Sequence, residues 1–193
     1  ENVKGQHFYV LLLQRSALQL AQKIEAELNL TNLAKHHHRQ QEILEHDLSR
    51  FLSDQRGIIE ASHNVVGGHA GNKESGLDIS TIISVLFSNR FLSSDEETPY
   101  SVTDSWVLAT AEALRSQFAQ IFPINRQGLP GTLIGRYPED RYFGGNPWPL
   151  ATLAMTQLHY RFASELSEIG FHQVCRLNAP FIDGVLKDGG EAP

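Results

Sequence analysis

Gly135-Arg-Tyr-Pro-Glu-Asp-Arg-Tyr-Phe-Gly-Gly-Asn-Pro-Trp-Pro-Leu150 crowds carboxylates, a guanidinium and aromatic rings into a single turn broken by glycine and proline. Hydroxyl-rich ligands are gripped by charged groups that make paired hydrogen bonds, and the apolar face of a pyranose packs on flat aromatic rings. Arg136, Glu139 and Asp140 supply the first kind of group, and Tyr137, Tyr142 and Trp148 the second. The plain alternative is a solvated loop, with Arg136 paired to Asp140 and Trp148 capping a helix in the core.

Outward from this turn, apolar residues recur at helical spacing and period-two alternation is scarce, so the chain reads as all-α. Phe8, Leu11, Leu12, Leu18, Ala21, Ile24 and Leu28 mark a first helix of about 20 residues. A second is expected from near Arg39 to Leu52, and a third from about Ile79 to Phe87 with Asp78 as N-cap. Ser101-Val-Thr-Asp104 opens the fourth with a pattern like a capping box. The fifth starts near Pro147 or Trp148 and runs to about Leu166, and a sixth apolar stretch surrounds Phe171 to Leu186. Three irregular segments, 57–77, 89–100 and 123–143, lie between them. Two of the three exceed the usual length of a structureless loop in a compact domain, and such loops tend to be binding loops. No linker or repeat divides residues 1–193, which read as part of one domain.

With 193 residues, 41% hydrophobic composition and a net charge of −6, the chain is large enough for one core. The acidic balance argues against a nucleic-acid surface, which needs clustered Lys and Arg to release phosphate counterions. The longest apolar runs fall short of a membrane span. The single cysteine, Cys175, forms no internal disulfide and is expected as a small core residue on an apolar helix face. Asn29-Leu-Thr31 is an N-glycosylation sequon. His36-His37-His38 point in different directions on a helix and make a poor metal site, so neither metal nor cofactor is expected. Gly67 to Lys73 resembles a phosphate loop only weakly, because Asn72 interrupts the Gly-Lys step.

The turn at 135–150 resembles a motif of the glucoamylases, glycoside hydrolase family 15, in which G-R-Y-P-E-D-x-Y is followed by a short glycine stretch and G-N-P-W-F-L. This chain departs from that pattern at Pro149, where the family has Phe. Gly76-Leu-Asp-Ile-Ser-Thr81 resembles the family's G-x-D-x-x-T. Glu1-Asn-Val-Lys-Gly-Gln-His-Phe8 resembles W-E-E-x-x-G-x-x-F, which carries the catalytic acid. The resemblance implies an (α/α)6 barrel, here a partial one, because six helices cannot close a twelve-helix ring. The chain is therefore expected to be the middle of a longer domain, truncated at both ends.

The same resemblance implies an exo-acting hydrolase that removes terminal α-1,4-linked and, more slowly, α-1,6-linked glucose from starch, glycogen or maltooligosaccharides, with inversion. Glu1 is implied as the general acid, with Asn2, Arg136, Asp140, Tyr142 and Trp148 as substrate contacts. Asn2 stands where the family carries a second glutamate, and the family's candidate bases fall outside this sequence. The parent protein is expected to be a monomer, secreted or vacuolar, with neither nucleic acid nor membrane as partner. The competing reading is a glucan-binding or regulatory relative without turnover.

Overall fold

A computed structural model describes residues 4–66, 73–88, 90, 99–128, 130–170 and 173–189. In chain order these form strand β1 (Lys4–His7), helices α1 (Phe8–Glu27) and α2 (Thr31–Ser49), and strands β2 (Leu52–Ser53), β3 (Ile58–Ile59) and β4 (Ser62–Val66). Helices α3 (Ser80–Ser88), α4 (Ser105–Ile121), α5 (Pro149–Ile169) and α6 (Ala179–Gly189) follow. Both sheets are antiparallel pairs: β1 with β4, and β2 with β3. Helix α1 packs on α2 and α3, α3 on α5 and α4, and α4 on α6. The odd-numbered helices thus lie side by side in one layer, while α4 and α6 pair behind it. This is an arc of the all-α, two-layered barrel that the sequence predicted.

The core follows from the apolar stripes. Phe8 is fully buried and meets Phe51 and Tyr100 edge-on, with ring centroids 5.8 and 5.1 Å apart. Burial, reinforced by the charges of Asp104 and Glu45, pushes the Tyr100 phenol up to about 12, so the ring stays neutral. Helix α4 starts at Ser105, one residue beyond the predicted capping sequence. Asp104 is its N-cap and accepts from Trp106 N and Val107 N at 2.8 and 3.1 Å. Those bonds satisfy two amides that have no partner inside the helix.

Three expectations are corrected. Helix α2 begins at Thr31 rather than near Arg39. Its first two turns lack an apolar stripe and are held by polar contacts to α1 instead, such as His37 Nδ1 on Glu25 at 2.7 Å. Further along the same interface, buried Arg15 pairs with Glu45 at 2.8 Å and Gln22 with Gln41 at 2.7 Å. The sixth helix occupies only Ala179–Gly189. Residues 173–178 are non-helical, because buried Asn178 accepts from Cys175 N at 2.8 Å and donates to Gln173 O at 3.0 Å, folding the backbone back on itself. Cys175 therefore lies exposed in a turn and not in the core. A hydrogen bond to Ser105 Oγ at 3.5 Å and the nearby backbone amides hold its thiol below the usual range.

Exposed apolar residues collect on α1 (Tyr9, Leu13, Leu20, Ile24) and on α5 (Leu150, Leu153, Tyr160). No described helix is long and apolar enough to cross a membrane.

The short β2–β3 pair is fastened to α4 by one bond: Ile59 N donates to fully buried Thr110 Oγ1 at 2.9 Å. Thr110→Val keeps the shape but strands a buried amide, which costs about 1–3 kcal/mol. Thr110→Ser keeps the acceptor, so the valine variant should melt several degrees below the serine variant in a thermal scan.

Candidate functional site

The predicted motif turn is anchored from both sides. Asn125 donates to the carbonyls of Phe118 and Leu133 at 2.8 and 2.9 Å and accepts from Leu133 N at 2.9 Å, returning the chain to the end of α4. Fully buried Ile134 then accepts from Trp148 N at 2.9 Å and donates to Thr152 Oγ1 at 3.0 Å. The Arg136 carbonyl accepts from Ile79 N at 2.8 Å. Residues 134–136 are thereby clasped between the start of α3 and the start of α5, and the side chain of Arg136 enters the space between them.

That space is a cavity of about 480 Å³. Its walls come from the N-terminal ends of three neighbouring helices: His7 and Tyr9 at α1, Asp78, Ile79, Ser80 and Ile83 at α3, and Trp148 at α5. Ser62 and Val65 of β4, together with Ala61, Lys73, Arg136 and Tyr137, complete it. Helix N-termini carry partial positive charge and point amide donors outward, which suits oxygen-rich ligands.

Arg136 and Asp140 form a two-pronged ion pair, with Nε to Oδ2 at 2.6 Å and Nη2 to Oδ1 at 2.7 Å. The Asp140 side chain is 7% exposed and that of Arg136 30%. Asp140 also accepts from Tyr142 N at 2.9 Å. Burial works against its charged form, but the Arg136 and Tyr142 hydrogen bonds and the charges of Arg136 and Lys73 outweigh it and hold the carboxyl below the usual range. The guanidinium lies 5.5 Å from the Tyr137 ring and 5.2 Å from the Tyr142 ring, at cation–π distance from both. A planar group fixed in this way reaches a ligand with little loss of rotamer freedom.

Of the substrate contacts predicted from the sequence, Arg136 and Trp148 line the cavity. Asp140 lies off its wall and is joined to it through Arg136, so the pairing of these two anticipated by the plain alternative exists. Tyr142 is 66% exposed and stands over the outer side of the guanidinium. Trp148 stands at the N-cap position of α5, as the plain alternative had it, but its side chain makes no capping bond and at 38% exposure lies outside the core. Glu139, read from the sequence as a group for sugar hydroxyls, accepts from Ser75 N and Ser75 Oγ at 2.6 and 3.1 Å and ties the turn to residues 73–76 instead. Glu1 and Asn2 lie outside the described residues, as does most of the weak phosphate-loop match at 67–73.

The structure adds three residues that the sequence did not single out for the site. Lys73 pairs with Asp78 at 2.7 Å and sits 4.2 Å over the Tyr137 ring. Asp78 also performs its predicted capping role, accepting from Ser80 N at 2.9 Å. Tyr9 follows buried Phe8 and turns toward the cavity. Lys73 and Asp78 are five positions apart, across a glycine at φ +72°, a spacing that matches no helical or strand period.

Gly145 also shapes the turn, since a Cβ there would lie 2.1 Å from the Asp140 carbonyl oxygen and its φ is +71°. The ion pair generates a pH prediction. A depressed carboxyl value stabilises the fold above the unfolded value of about 3.9, and that stability is lost as pH falls through the folded value. Asp140→Asn should lower stability by about 1.5–3 kcal/mol at pH 7. In thermal melts the gap to wild type should close below about pH 4.

The glycosyl hydrolases family 15 model matches residues 1–182. The chain is 32% identical over 189 residues to glucoamylase 1 of Rhizopus oryzae, covering 94% of this chain and 30% of that protein. It is 34% identical over 184 residues to the intracellular sporulation-specific glucoamylase of Saccharomyces cerevisiae, covering 88% and 33%. The glucoamylase of Saccharomycopsis fibuligera superposes with a TM-score of 0.83 at 28% identity, over 93% of this chain and 38% of that one. The chain thus spans about a third of the proteins it matches. With the family model matching residues 1–182 and the helical arc superposing on a family member, this chain belongs to glycosyl hydrolases family 15.

Proposed function

We propose that residues 1–193 form part of a single catalytic domain that removes glucose from the non-reducing ends of starch- or glycogen-type glucans, cutting α-1,4 links and, more slowly, α-1,6 links with inversion. The observation that carries this reading is the guanidinium of Arg136, forked by Asp140 and facing a cavity walled by Tyr137 and Trp148. Arg136 donates to sugar hydroxyls, Trp148 offers an apolar surface to a ring, and Asp140 fixes the plane of the guanidinium.

Glycoside cleavage needs one protonated carboxyl for the leaving oxygen and one ionised carboxyl for water. Glu1 takes the first role, and Asn2 contributes a neutral hydrogen-bonding contact beside it. The second carboxylate belongs to a segment that this sequence does not include. Lys73 and Asp78 satisfy one another across the cavity wall, so Asp78 is a poor candidate for the water-activating base. Secretion or a vacuolar location, and a monomeric parent, complete the reading.

In the full-length protein, Glu1→Gln should remove most of kcat on maltose and leave KM within a few fold, because the lost proton acts only in the transition state. The first glucose released should be the β-anomer by NMR. Retention of the α-anomer, or near-normal kcat in the glutamine variant, would assign the chemistry elsewhere, and no turnover by the wild type would favour the glucan-binding alternative. Arg136→Lys keeps a cation that can still pair with Asp140 but loses the fork, so kcat/KM should fall more than tenfold with only a small change in Tm.

A further inference from the structure

A second cavity, of about 590 Å³, lies away from the first, on a face of α4 where none of the predicted sugar contacts falls. Its floor is that face of α4, on which half-buried Trp106 is flanked by the small side chains of Ala109 and Ala113. One wall is the turn at 54–57, between β2 and β3; the other is the start of α6 and the turn before it, including Arg176 and Leu177.

Both walls are fastened to α4 independently. The first is held through Ile59 N on Thr110 Oγ1 at 2.9 Å. The second is held through fully buried Asn178, which donates to Ser105 Oγ at 3.0 Å. The two meet where Gly57, at φ +66°, brings its Cα against Leu177: a Cβ there would stand 3.2 Å from Leu177 Cδ1. The groove is therefore a fixed feature of the fold, closed at one end by a contact that favours glycine.

Its chemistry is that of a neutral polyol site. Two carboxylates, Asp54 and Glu112, face two guanidiniums, Arg56 and Arg176, so the lining has no net charge to select an ion. Glu112 is committed to Arg115 at 2.6 and 2.7 Å, and Arg56 to the Glu74 carbonyl at 3.0 Å. Asp54 and Arg176, on opposite walls, form no ion pair or hydrogen bond among the described residues. Half-buried Trp106, between an unpaired carboxylate and an unpaired guanidinium, provides an apolar floor with an acceptor on one side and a forked donor on the other.

We propose that this groove is a second binding site for an α-glucan chain, one that holds polymer without cleaving it. The substrate class rests on the function proposed above; the site itself does not depend on catalysis.

The chain contains only two tryptophans, and each stands in one of the two cavities. In a ¹H–¹⁵N spectrum of the full-length protein, the indole N–H signals lost in the Trp106→Phe and Trp148→Phe variants identify these two residues, which then report on the two sites separately. Titration of the full-length protein carrying Glu1→Gln with maltoheptaose should shift the Trp106 signal saturably, and Asp54→Ala or Arg176→Ala should weaken that binding at least fivefold without moving the Trp148 response. No Trp106 shift at 10-fold above the concentration that saturates Trp148, or at about 20 mM where Trp148 does not respond, would overturn the second site. A shift that both alanine variants leave unchanged would overturn it equally. A Trp106 response without a Trp148 response would keep the groove and count against sugar binding in the first cavity.

Discussion

Residues 134–136 are held by backbone hydrogen bonds to the starts of two different helices, and the site's geometry depends on that clasp. Ile134 meets Trp148 and Thr152 at α5, and the Arg136 carbonyl meets Ile79 ahead of α3. The clasp sets the spacing of the two helix N-termini and the point at which the Arg136 side chain leaves the backbone. Because these atoms are buried, slipping the segment by one residue would strand several amides and carbonyls at once, each costing about 1–3 kcal/mol. The ends of α3 and α5 are therefore positioned by a segment that is itself irregular.

Around this clasp, the charged residues divide between holding and presenting. Glu139 spends both oxygens on Ser75, and Asp140 spends both on Arg136 and the Tyr142 amide. Neither carboxylate of the motif is thus available as an acid or base in this geometry. What remains directed at the cavity is cationic and aromatic: Arg136, Lys73 beside Asp78, Tyr137 and Trp148. Such a wall suits the binding and orienting of hydroxyls, and under the proposed function proton transfer falls to other carboxyls, with Glu1 as the acid.

Most of the fold was legible because apolar stripes were strong: Phe8 and Leu12 on α1 and Leu108, Leu114 and Phe118 on α4 are buried, although the predicted α1 stripe fails at its far end, where Ile24 and Leu28 are exposed. Where the reading failed, the structure relies on polar contacts that leave no periodic trace. The first turns of α2 present Lys35, His36 and His38 to solvent and are tied to α1 by His37 on Glu25. Cys175 read as a core residue because it falls within an apolar stretch, but a single buried asparagine, Asn178, folds residues 173–178 into a turn. Composition reports burial well and reports the capture of backbone by one amide side chain poorly.

The site divides along the same line. Arg136 and Trp148 were legible as a motif, and their chemistry follows from residue type. Lys73 and Asp78 were not, because their pairing depends on a turn at Gly76 and on the Tyr137 ring beneath Lys73, and both belong to tertiary structure. The same holds for the groove over Trp106. In sequence that residue is one apolar position on α4; only the turn at 54–57 and the capture of residues 173–178 by Asn178 turn its exposed edge into the floor of a cavity. Walls supplied by two separate turns, each anchored to the same helix, can change in composition without disturbing the core beneath them, so such a surface can acquire binding while the helical arc stays intact.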